Sequence, residues 1–269
     1  MTSPPLPDTA SDVAVNPLRL AWGEGRPSVV AWLQIPAPLS AEAVARCGYD
    51  GVVIDLQHAP IGTAEAAAMT AAIELGGAVP LARTRANDPA EIMALLDVGA
   101  CGIIAPMVND AADARRLASA LHYPPRGTRS YGPRRPLLRH GARYAEFASS
   151  TLVSFAMIET RAGLDNLDAI LETEGLDGVF VGPSDLALAL GARPGGDSAD
   201  PAVVDAVSYV RESAHARGRR AGIHCATTPF ARAKLAEGFD LVSTTPDLAL
   251  LTAAARLALR DVRRDLPRP

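Results

Sequence analysis

Lysine is almost absent from the 269-residue sequence: Lys234 is the only one among 26 basic residues, and all the others are arginines. An arginine guanidinium does not act as an amine nucleophile, so Schiff-base chemistry has a single candidate. That lysine falls in the middle of the helix-like segment PFARAKLAEG, away from the end of any predicted strand. The sequence therefore predicts no Schiff-base mechanism.

Aromatic residues, cysteines and long apolar runs are also scarce. Aromatics make up 4% of a chain that is 48% hydrophobic, which excludes disorder of the whole chain and predicts one large domain whose core is built from Ala, Val, Leu and Ile. The three cysteines, Cys47, Cys101 and Cys225, form no CxxC pair. This spacing excludes a disulfide framework and a zinc site, and it favours a reducing cytoplasm. No apolar run reaches the length of about 18 residues that predicts a transmembrane helix.

The charge balance excludes further classes of partner. With 26 basic and 30 acidic residues the net charge is -4, too small to drive strong attraction to nucleic acid or polybasic docking on a membrane. We therefore expect small-molecule partners, with neither nucleic acid nor a membrane among them. Residues 1–16 show neither a charged leader nor an apolar run, and we interpret them as a flexible tail before one domain over residues 17–269.

From residue 28 onward, short β-branched runs alternate with Ala-rich segments of helical period, as parallel strands joined by helices do. Several runs are apolar on both faces, which is typical of strands covered on one side by helices and on the other by interior side chains. The candidate strands are residues 29–35, 51–58, 79–85, 102–108, 152–159, 178–182, 220–226 and 240–245. Eight such units predict an α/β fold with a single (β/α)8 TIM barrel. An open doubly wound sheet is not expected, because neither GxGxxG nor GxxxxGK[ST] is present.

The predicted helices carry clear start and stop signals. Proline at the first helical position costs no hydrogen bond, and a preceding Asp or Thr can cap the helix. Such starts are Asp88-Pro89, Asp200-Pro201 and Thr228-Pro229. Glycines suited to the left-handed conformation at a helix end are Gly48, Gly76, Gly99, Gly218 and Gly238.

One connection, residues 122–144, is much longer than the usual barrel loop and carries six arginines. Long ordered loops are often functional, but a solvated flap or an oligomer contact explains this one equally well. A nucleic-acid groove fits less well, because the net charge is negative and the segment offers only three tyrosines as stacking groups.

Four predicted strands end in ionisable or polar residues. Active sites of (β/α)8 barrels lie at the carboxyl ends of the strands. Strand two ends in Asp55-Leu56-Gln57-His58, strand three in Arg83-Thr84-Arg85, strand five in Glu159-Thr160, and strand six runs into Gly182-Pro183-Ser184-Asp185. We expect the active site among these residues.

Glu159 and Asp185 lie one βα unit apart and would place two carboxylates side by side. Two protein oxygens suit a hard divalent cation whose other positions are filled by water and substrate, as Mg2+ or Mn2+ permits. The alternative is structural: Asp185 would cap the helix after strand six, and Glu159 would pair with Arg161. The spacing favours neither over the other.

The remaining strand-end candidates are basic. Arg83 offers a bidentate fork that can hold a carboxylate or stabilise an oxyanion, unless it forms an ordinary salt bridge at the rim. Arg85 is the weaker candidate, since the register of these two arginines decides which one faces the interior. His58 has few structural reasons to end a buried strand and is a candidate base. His224 on strand seven is a second interior candidate.

The runs CGYDGVVIDLQHAP, LARTRANDPAEIMALLDVGACGIIAPMV, YPPRGTR, MIET and NLDAILETEGLDGVFVGPSDLA occur in this order. The chain resembles, from residue 29 to about residue 258, the HpcH/HpaI family of class II, metal-dependent pyruvate aldolases of the phosphoenolpyruvate/pyruvate barrel superfamily. The resemblance implies that Glu159 and Asp185 bind Mg2+ or Mn2+, with Co2+ as an alternative, and that pyruvate chelates this metal. It also implies that the backbone around Gly182, Pro183 and Ser184, next to Asp185, holds the pyruvate carboxylate.

The resemblance further implies that Arg83 stabilises the enolate oxygen and that His58 acts as the base, directly or through a metal-bound water. Asp97 matches the family's acid that raises the basicity of this histidine. It follows a helix, at the wrong end of the barrel for its own site, so we predict that it reaches His58 of another subunit. The family forms hexamers, trimers of dimers, in which the last helix, here DLALLTAAARLAL, is exchanged, and the loop 122–144 is expected to meet the same neighbour.

Two positions depart from the family pattern. Met157 stands where many members have a glutamine at the substrate or metal site, and it cannot donate a hydrogen bond. Gln57 replaces a common Glu and removes one negative charge near the metal. Asp55 and Gln57 are expected to support the residues that contact substrate. We expect an altered water shell and a different donor such as hydroxypyruvate, or a looser aldehyde range.

The predicted function is reversible aldol cleavage of 4-hydroxy-2-oxo acids to pyruvate or hydroxypyruvate plus an aldehyde. A lyase acting on a CoA thioester is an alternative, because arginines 126, 129, 134 and 135 can line a basic groove. A barrel that binds an oxo acid without converting it is the other, because of the departures at Met157 and Gln57.

Overall fold

The computed structural model describes residues 15–264, which form a closed barrel of eight parallel strands. The strands are β1 (Ser28–Leu33), β2 (Gly51–Asp55), β3 (Val79–Arg83), β4 (Gly102–Ala105), β5 (Val153–Ile158), β6 (Gly178–Val181), β7 (Arg220–Ile223) and β8 (Leu241–Ser243). Each strand pairs with the next along the chain, and β8 closes the barrel against β1 by pairing Leu241 with Ser28. The predicted (β/α)8 barrel is confirmed.

Helices follow the strands and surround the barrel. Those of the described residues are α1 (Pro17–Gly23), α2 (Pro38–Ala45), α3 (Thr63–Leu75), α4 (Pro89–Asp97), α5 (Ala111–Leu121), α6 (Arg134–His140), α7 (Tyr144–Thr151), α8 (Arg161–Asp165), α9 (Leu167–Leu171), α10 (Pro183–Ala189), α11 (Pro201–Ala216), α12 (Thr228–Ala236) and α13 (Asp247–Val262). None of them is both long and apolar enough to cross a lipid bilayer.

All eight strands end one to three residues before the predicted end, because the residues that follow turn into the loops at the carboxyl end of the barrel. β2 ends at Asp55, and the backbone N–H groups of Gln57 and His58 then donate to the Asp55 carboxylate instead of to a neighbouring strand. His58 is therefore exposed in a loop, and the prediction that it ends the buried strand is wrong. β7 likewise ends at Ile223, one residue before His224.

Two of the predicted helix boundaries shift by one residue. Asp88 and Asp200 cap α4 and α11 as predicted, but Thr227 and not Thr228 caps α12, since its hydroxyl accepts the N–H of Phe230. After α3 the left-handed glycine is Gly77, whose φ is 90°, because Gly76 is still helical.

Four aromatic side chains pack inside the barrel, although the composition predicted an aliphatic core. Trp32 stacks on Phe180 with ring centroids 5.8 Å apart, and Phe155 packs edge-on against Phe180 at 6.3 Å. Trp22 of α1 closes the amino-terminal end by contacting Phe155 at 5.8 Å. Wide rings fill the interior of a closed barrel, whereas Ala, Leu and Ile form the layer between strands and helices, so the prediction holds only for that outer layer.

The connection 122–144 lies between α5 and β5, at the amino-terminal end of the barrel, and α6 lies within it. Four of its six arginines make ion pairs. Arg129 is 2% exposed and pairs with Asp97 at 3.1 Å, while Arg135 and Arg139 both pair with Glu74. The segment is thus folded against the barrel and is not a free flap.

The structure describes part of the predicted tail, residues 1–16, and the last helix, α13. Residues 1–14 of the predicted tail lie outside the described residues, but Asn16 is buried, and its amide donates to the carbonyl groups of Cys101 and Thr151 at 3.0 Å. The described domain therefore begins before residue 17. At the other end, α13 is anchored by Asp247, which accepts the N–H of Gln34 at 2.7 Å, and the rest of the helix is exposed.

Candidate active site

A cavity of about 170 Å³ opens at the carboxyl ends of the strands. The residues that line it are Trp32, Gln34, His58, Arg83, Met157, Glu159, Gly182, Pro183, Ser184, Asp185 and His224. The structure thus brings together most of the predicted site residues, with Asp55 and Gln57 directly behind them. A larger cavity of about 880 Å³ between α5 and α9 contains none of them.

Arg83 is fixed by a buried carboxylate. Asp55 and Arg83 are register partners on β2 and β3, so their side chains leave the sheet on the same face. Nε of Arg83 donates to Oδ1 of Asp55 at 3.0 Å, and Nη2 donates to Oδ2 at 2.6 Å. The guanidinium lies 4.9 Å above the Trp32 ring. Asp55 engages Nε and Nη2, whereas Nη1 makes no hydrogen bond to residues 15–264 and is left for a ligand oxygen.

The Asp55 carboxylate accepts more than these two bonds. Trp32 Nε1 and Gln34 Nε2 donate to Oδ2 at 3.2 and 3.3 Å. Burial raises the pKa of Asp55, but the hydrogen bonds and positive charge of Arg83 outweigh burial and hold this pKa below its ordinary value of 3.8. The carboxylate is therefore ionised at neutral pH and sets the position of Arg83.

Glu159 has one satisfied and one unsatisfied oxygen. Its Oε1 accepts the N–H of Met107 at 2.7 Å, and its Oε2 is buried without a hydrogen-bond partner among residues 15–264. Burial raises the pKa of Glu159, and the negative charge of Asp185 raises it further, against the lowering effect of the Met107 bond. A buried, unpaired carboxylate oxygen is costly unless a cation or a donor meets it.

Gly182 provides the space for Glu159. A Cβ built on Gly182 would lie 2.5 Å from Oε2 of Glu159 and 3.0 Å from Cε of Met157. The glycine φ is −98°, which any residue adopts, so the requirement is one of space and not of backbone conformation. The carboxylate of Glu159 therefore occupies the space that any larger side chain at position 182 would need.

Asp185 is exposed in the first turn of α10, on the rim of the same cavity. The helix is capped at Gly182 without a side-chain hydrogen bond, so the capping alternative for Asp185 does not describe this structure. The other alternative is also wrong, because Glu159 bonds to Met107 and not to Arg161.

These two carboxylates fit a hard divalent cation. Their oxygens are the donors that Mg2+ and Mn2+ prefer, and Oε2 of Glu159 has no hydrogen-bond partner among the described residues. Residues 15–264 contain no group of three or more His, Cys, Asp or Glu arranged to hold a metal. A site with two protein ligands leaves its other coordination positions for water and substrate.

His58 and Gln57 lie in the bend after β2. Their N–H groups donate to Oδ1 of Asp55 at 3.2 and 3.1 Å, which positions the bend beside Arg83. The imidazole of His58 is exposed and reaches the cavity wall. Oε1 of Gln57 is buried without a partner among the described residues. The base candidate is thus exposed, whereas Arg83 and Glu159 are buried.

Asp97 does not join the cavity of its own chain. It ends α4, on the amino-terminal side of the barrel, where its carboxylate accepts a bond from Arg129. Met157, in contrast, is 1% exposed on β5 and forms part of the cavity wall with its apolar side chain. Arg85 points away, pairing with Glu91 at 2.5 Å, and Nζ of Lys234 bonds to Glu237 at 2.8 Å outside the cavity.

Sequence reasoning missed Trp32 and Gln34, and it treated His224 as a secondary candidate. Trp32 lies within a strand of apolar residues and carried no signal of its own. Gln34 directly follows β1, and a polar residue at a strand end was the available signal. His224 stands one residue beyond β7 and faces Trp32 with ring centroids 4.8 Å apart.

Known proteins of the same kind match this chain over nearly its whole length. The hydroxypyruvate/pyruvate aldolase of Rhizorhabdus wittichii is 59% identical over 249 residues, 93% of this chain and 99% of that protein. The 4-hydroxy-2-oxo-heptane-1,7-dioate aldolase of Escherichia coli is 35% identical and covers 89% of this chain and 92% of its own.

A solved structure and a family model agree with these relatives. The crystal structure of an HpcH/HpaI aldolase/citrate lyase family protein from Burkholderia cenocepacia superposes with a TM-score of 0.81 at 30% identity, covering 89% of this chain and 95% of that one. The family model for HpcH/HpaI aldolase/citrate lyase matches residues 28–246. This chain belongs to the HpcH/HpaI aldolase/citrate lyase family.

Proposed function

We propose that the protein is a divalent-metal-dependent aldolase that cleaves and forms 4-hydroxy-2-oxo acids, with pyruvate or hydroxypyruvate as one product and an aldehyde as the other. The observation that carries the proposal is the buried Oε2 of Glu159, which has no hydrogen-bond partner among residues 15–264 and whose side chain lines the same cavity as Asp185. The strongly similar relative that acts on hydroxypyruvate and pyruvate supports the substrate class.

Glu159 and Asp185 hold the cation, either Mg2+ or Mn2+. A cation held there would supply Lewis-acid polarisation of the oxo acid. The N–H groups in the first turn of α10, beyond Gly182 and Pro183, bind the substrate carboxylate near Ser184. Met157 closes this side of the cavity with an apolar surface and supplies no donor.

Arg83 and His58 carry the proton and charge changes. In the cleavage direction His58 removes the proton of the 4-hydroxyl, the bond between C3 and C4 breaks, and the electron pair remains as an enolate. Nη1 of Arg83, oriented by Asp55, donates to the enolate oxygen, whose full negative charge exists only after bond cleavage. His58 then returns its proton to C3 and releases the oxo acid.

A chelator and a trapping reagent test the mechanism together. EDTA is expected to abolish pyruvate release and Mg2+ or Mn2+ to restore it, since only the two carboxylates are proposed to hold the metal. Borohydride added with pyruvate is expected to leave Lys234 unmodified by mass spectrometry, because its ammonium pairs with Glu237 away from the cavity. Activity that survives complete chelation would reject the proposal.

We also propose a homohexamer, a trimer of dimers, in which Asp97 of one subunit reaches His58 of another. Two observations support this. Asp97 lies at the end of the barrel opposite its own cavity. The exposed large apolar side chains of α13, which need a cover, are Leu248, Leu250, Leu251, Leu257, Leu259 and Val262. Light scattering on the purified protein measures its molar mass and so tests the hexamer. The location in a reducing cytoplasm stays a prediction.

The structure does not favour the two alternatives. Of the arginines proposed for a CoA groove, Arg129 is buried against Asp97 and Arg135 is paired with Glu74, at the end of the barrel away from the cavity. A binding protein without turnover is not favoured, because the relatives that match this chain over nearly its whole length are named aldolases.

A further inference from the structure

His224 presents an imidazole to the cavity from a position fixed on two sides. Its backbone N–H donates to the carbonyl of Val181 at 3.1 Å, which continues the pairing of β7 with β6 by one residue. Its ring packs edge-on against Trp32, with centroids 4.8 Å apart and an interplanar angle of 68°. Its Nδ1 lies 3.0 Å from Oγ of Ser243 on β8. The ring is therefore held in one orientation at the cavity wall.

The surroundings of Ser243 select the tautomer of His224. Ser243 is fully buried, and its Oγ already accepts the N–H of Cys225 at 2.9 Å. If Nδ1 carried the proton, Oγ would accept two bonds, and its own hydrogen would be buried without an acceptor among the described residues, which is unfavourable. The hydroxyl therefore donates to Nδ1, and the ring proton resides on Nε2.

The imidazole is neutral as well as fixed. Burial and the nearby positive charge of Arg83 lower the pKa of His224 to about 4, although Asp55 and Asp197 act in the opposite direction. A neutral Nε2–H at pH 7 donates a hydrogen bond and accepts none. It makes no hydrogen bond to residues 15–264, and the His224 residue that carries it lines the cavity.

Several other N–H donors of the cavity wall are engaged by Asp55 or are already assigned to the reacting groups of the substrate. Gln34 Nε2 donates to Asp55, as do two of the guanidinium nitrogens of Arg83, and Met157 has no donor. The N–H on Nε2 of His224 is thus a preorganised donor with no assigned role in breaking the carbon–carbon bond. A cavity with a fixed, unpaired donor favours a ligand that brings an oxygen to it over one that leaves it unpaired.

We propose that His224 is the specificity-determining residue that recognises a hydroxyl group on the substrate, through a hydrogen bond from its Nε2–H. This inference rests on the proposed aldolase function and extends it to hydroxylated substrates. The hydroxyl belongs either to the oxo acid, as in hydroxypyruvate, or to the aldehyde, as in glycolaldehyde. The chemistry at His224 is the same for both sources, and two pairs of isosteric substrates separate them.

The test compares hydroxypyruvate with 2-oxobutanoate, and glycolaldehyde with propanal, because each pair differs only by exchange of a hydroxyl for a methyl group. His224→Phe keeps an aromatic ring beside Trp32 and removes the donor. We expect kcat/KM to fall about tenfold for the hydroxylated member of one pair and to change less than about twofold for its methyl counterpart. The pair that responds identifies which substrate carries the recognised hydroxyl.

Two further variants exclude a purely structural effect. His224→Gln restores an N–H donor and is expected to recover part of the preference for the hydroxylated substrate. Ser243→Ala removes the group that selects the tautomer, and it is expected to reduce the preference in the same pair as His224→Phe. Equal losses for both members of each pair in all three variants would show a role in packing alone and would overturn the proposal.

Calorimetric binding of the two oxo acids to the Mg2+-loaded full chain, without aldehyde, separates this inference from the aldolase function. Turnover of both pairs without any preference that depends on His224 overturns the inference and leaves the aldolase standing. A second outcome is that no substrate turns over, but wild type binds hydroxypyruvate more tightly than 2-oxobutanoate and His224→Phe does not. This outcome overturns the aldolase function and supports the inference. Absence of both binding and turnover overturns both.

Discussion

Asp55 and Arg83 face each other on adjacent strands and share two hydrogen bonds, of 3.0 and 2.6 Å, with the carboxylate fully buried and the guanidinium nearly so. The pair contributes to both stability and function. Its two bonds compensate the buried charges of Asp55 and Arg83, and they also fix the orientation of Arg83, whose Nη1 is proposed to contact the ligand. Removing either charge leaves the other buried and unpaired.

We expect Asp55→Asn to lower the free energy of unfolding by about 3–5 kcal/mol and to lower kcat/KM at least tenfold, because Arg83 loses its partner and its orientation. Denaturant unfolding and steady-state kinetics measure the two effects. Glu42→Gln is the matched control, since it breaks an exposed pair with Arg46 and is expected to cost less than about 1 kcal/mol. A similar small loss for both variants would contradict the role of Asp55.

The pH dependence of stability follows from the same pair. The pKa of Asp55 is lower in the folded protein than its ordinary value of 3.8, so ionised Asp55 stabilises the fold. This stabilisation is complete above pH 3.8 and is lost as the pH falls through the lowered folded pKa. Thermal unfolding curves between neutral and strongly acidic pH should therefore show a loss in wild type that is smaller in Asp55→Asn.

The Glu159 carboxylate is expected to lower the stability of the metal-free fold and to bind the metal ion. Its pKa is raised by burial and by Asp185, so ionisation destabilises the metal-free fold as the pH rises above the ordinary value of 4.5. Glu159→Gln keeps the shape and removes the charge. At pH 7 the metal-free variant should melt at a temperature no lower than wild type, and Mn2+ should raise the melting temperature of wild type but not of the variant.

The exposed residue Glu172 provides the control for this experiment. Glu172→Gln makes the same change in net charge far from the cavity and should leave the Mn2+-induced shift intact. An Mn2+-induced shift that persists in Glu159→Gln would place the cation elsewhere.

Gly182→Ala tests the space that the glycine leaves for Glu159. The added Cβ would lie 2.5 Å from Oε2, so the carboxylate has to move while the backbone, whose φ is −98°, does not. We expect metal affinity to fall by about 10–100-fold in calorimetric titrations with little loss of stability. Gly195→Ala, where a Cβ meets nothing within 4 Å, is the control. Equal metal affinities in the two variants would show that Gly182 does not position Glu159.

The sequence was sufficient for the eight strands and for Arg83, Glu159 and Asp185, because alternation of apolar runs with capped helices fixes the barrel and the barrel fixes where strand ends meet. It was insufficient for Trp32, and it indicated His224 only as a second interior candidate. The two rings meet between β1 and the end of β7, which are distant in the chain and come close only when β8 closes the barrel against β1. The exposure of His58 was missed for a local reason, since Asp55 draws its backbone out of the strand.

Asp97 ends α4 and bonds to Arg129, at the opposite end of the barrel from the cavity of its own chain. Any role of Asp97 in catalysis therefore requires the cavity of a partner subunit. We expect His58→Ala and Asp97→Asn each to be strongly impaired. If each site takes His58 from one subunit and Asp97 from another, random mixing of equal amounts of the two variants restores both residues in about a quarter of the sites.

Activity of the mixture, measured after dissociation and reassembly, is therefore expected to approach about a quarter of the wild-type value. The control is a mixture of His58→Ala with Arg83→Ala. Both changes lie in the cavity of one chain, so every site in that mixture lacks one of the two residues and should stay inactive. Recovery in the control, or its absence in the test mixture, would contradict a site shared through Asp97. Asn at position 97 keeps a side-chain oxygen for the buried Arg129 and so limits the loss of folding that Ala would cause.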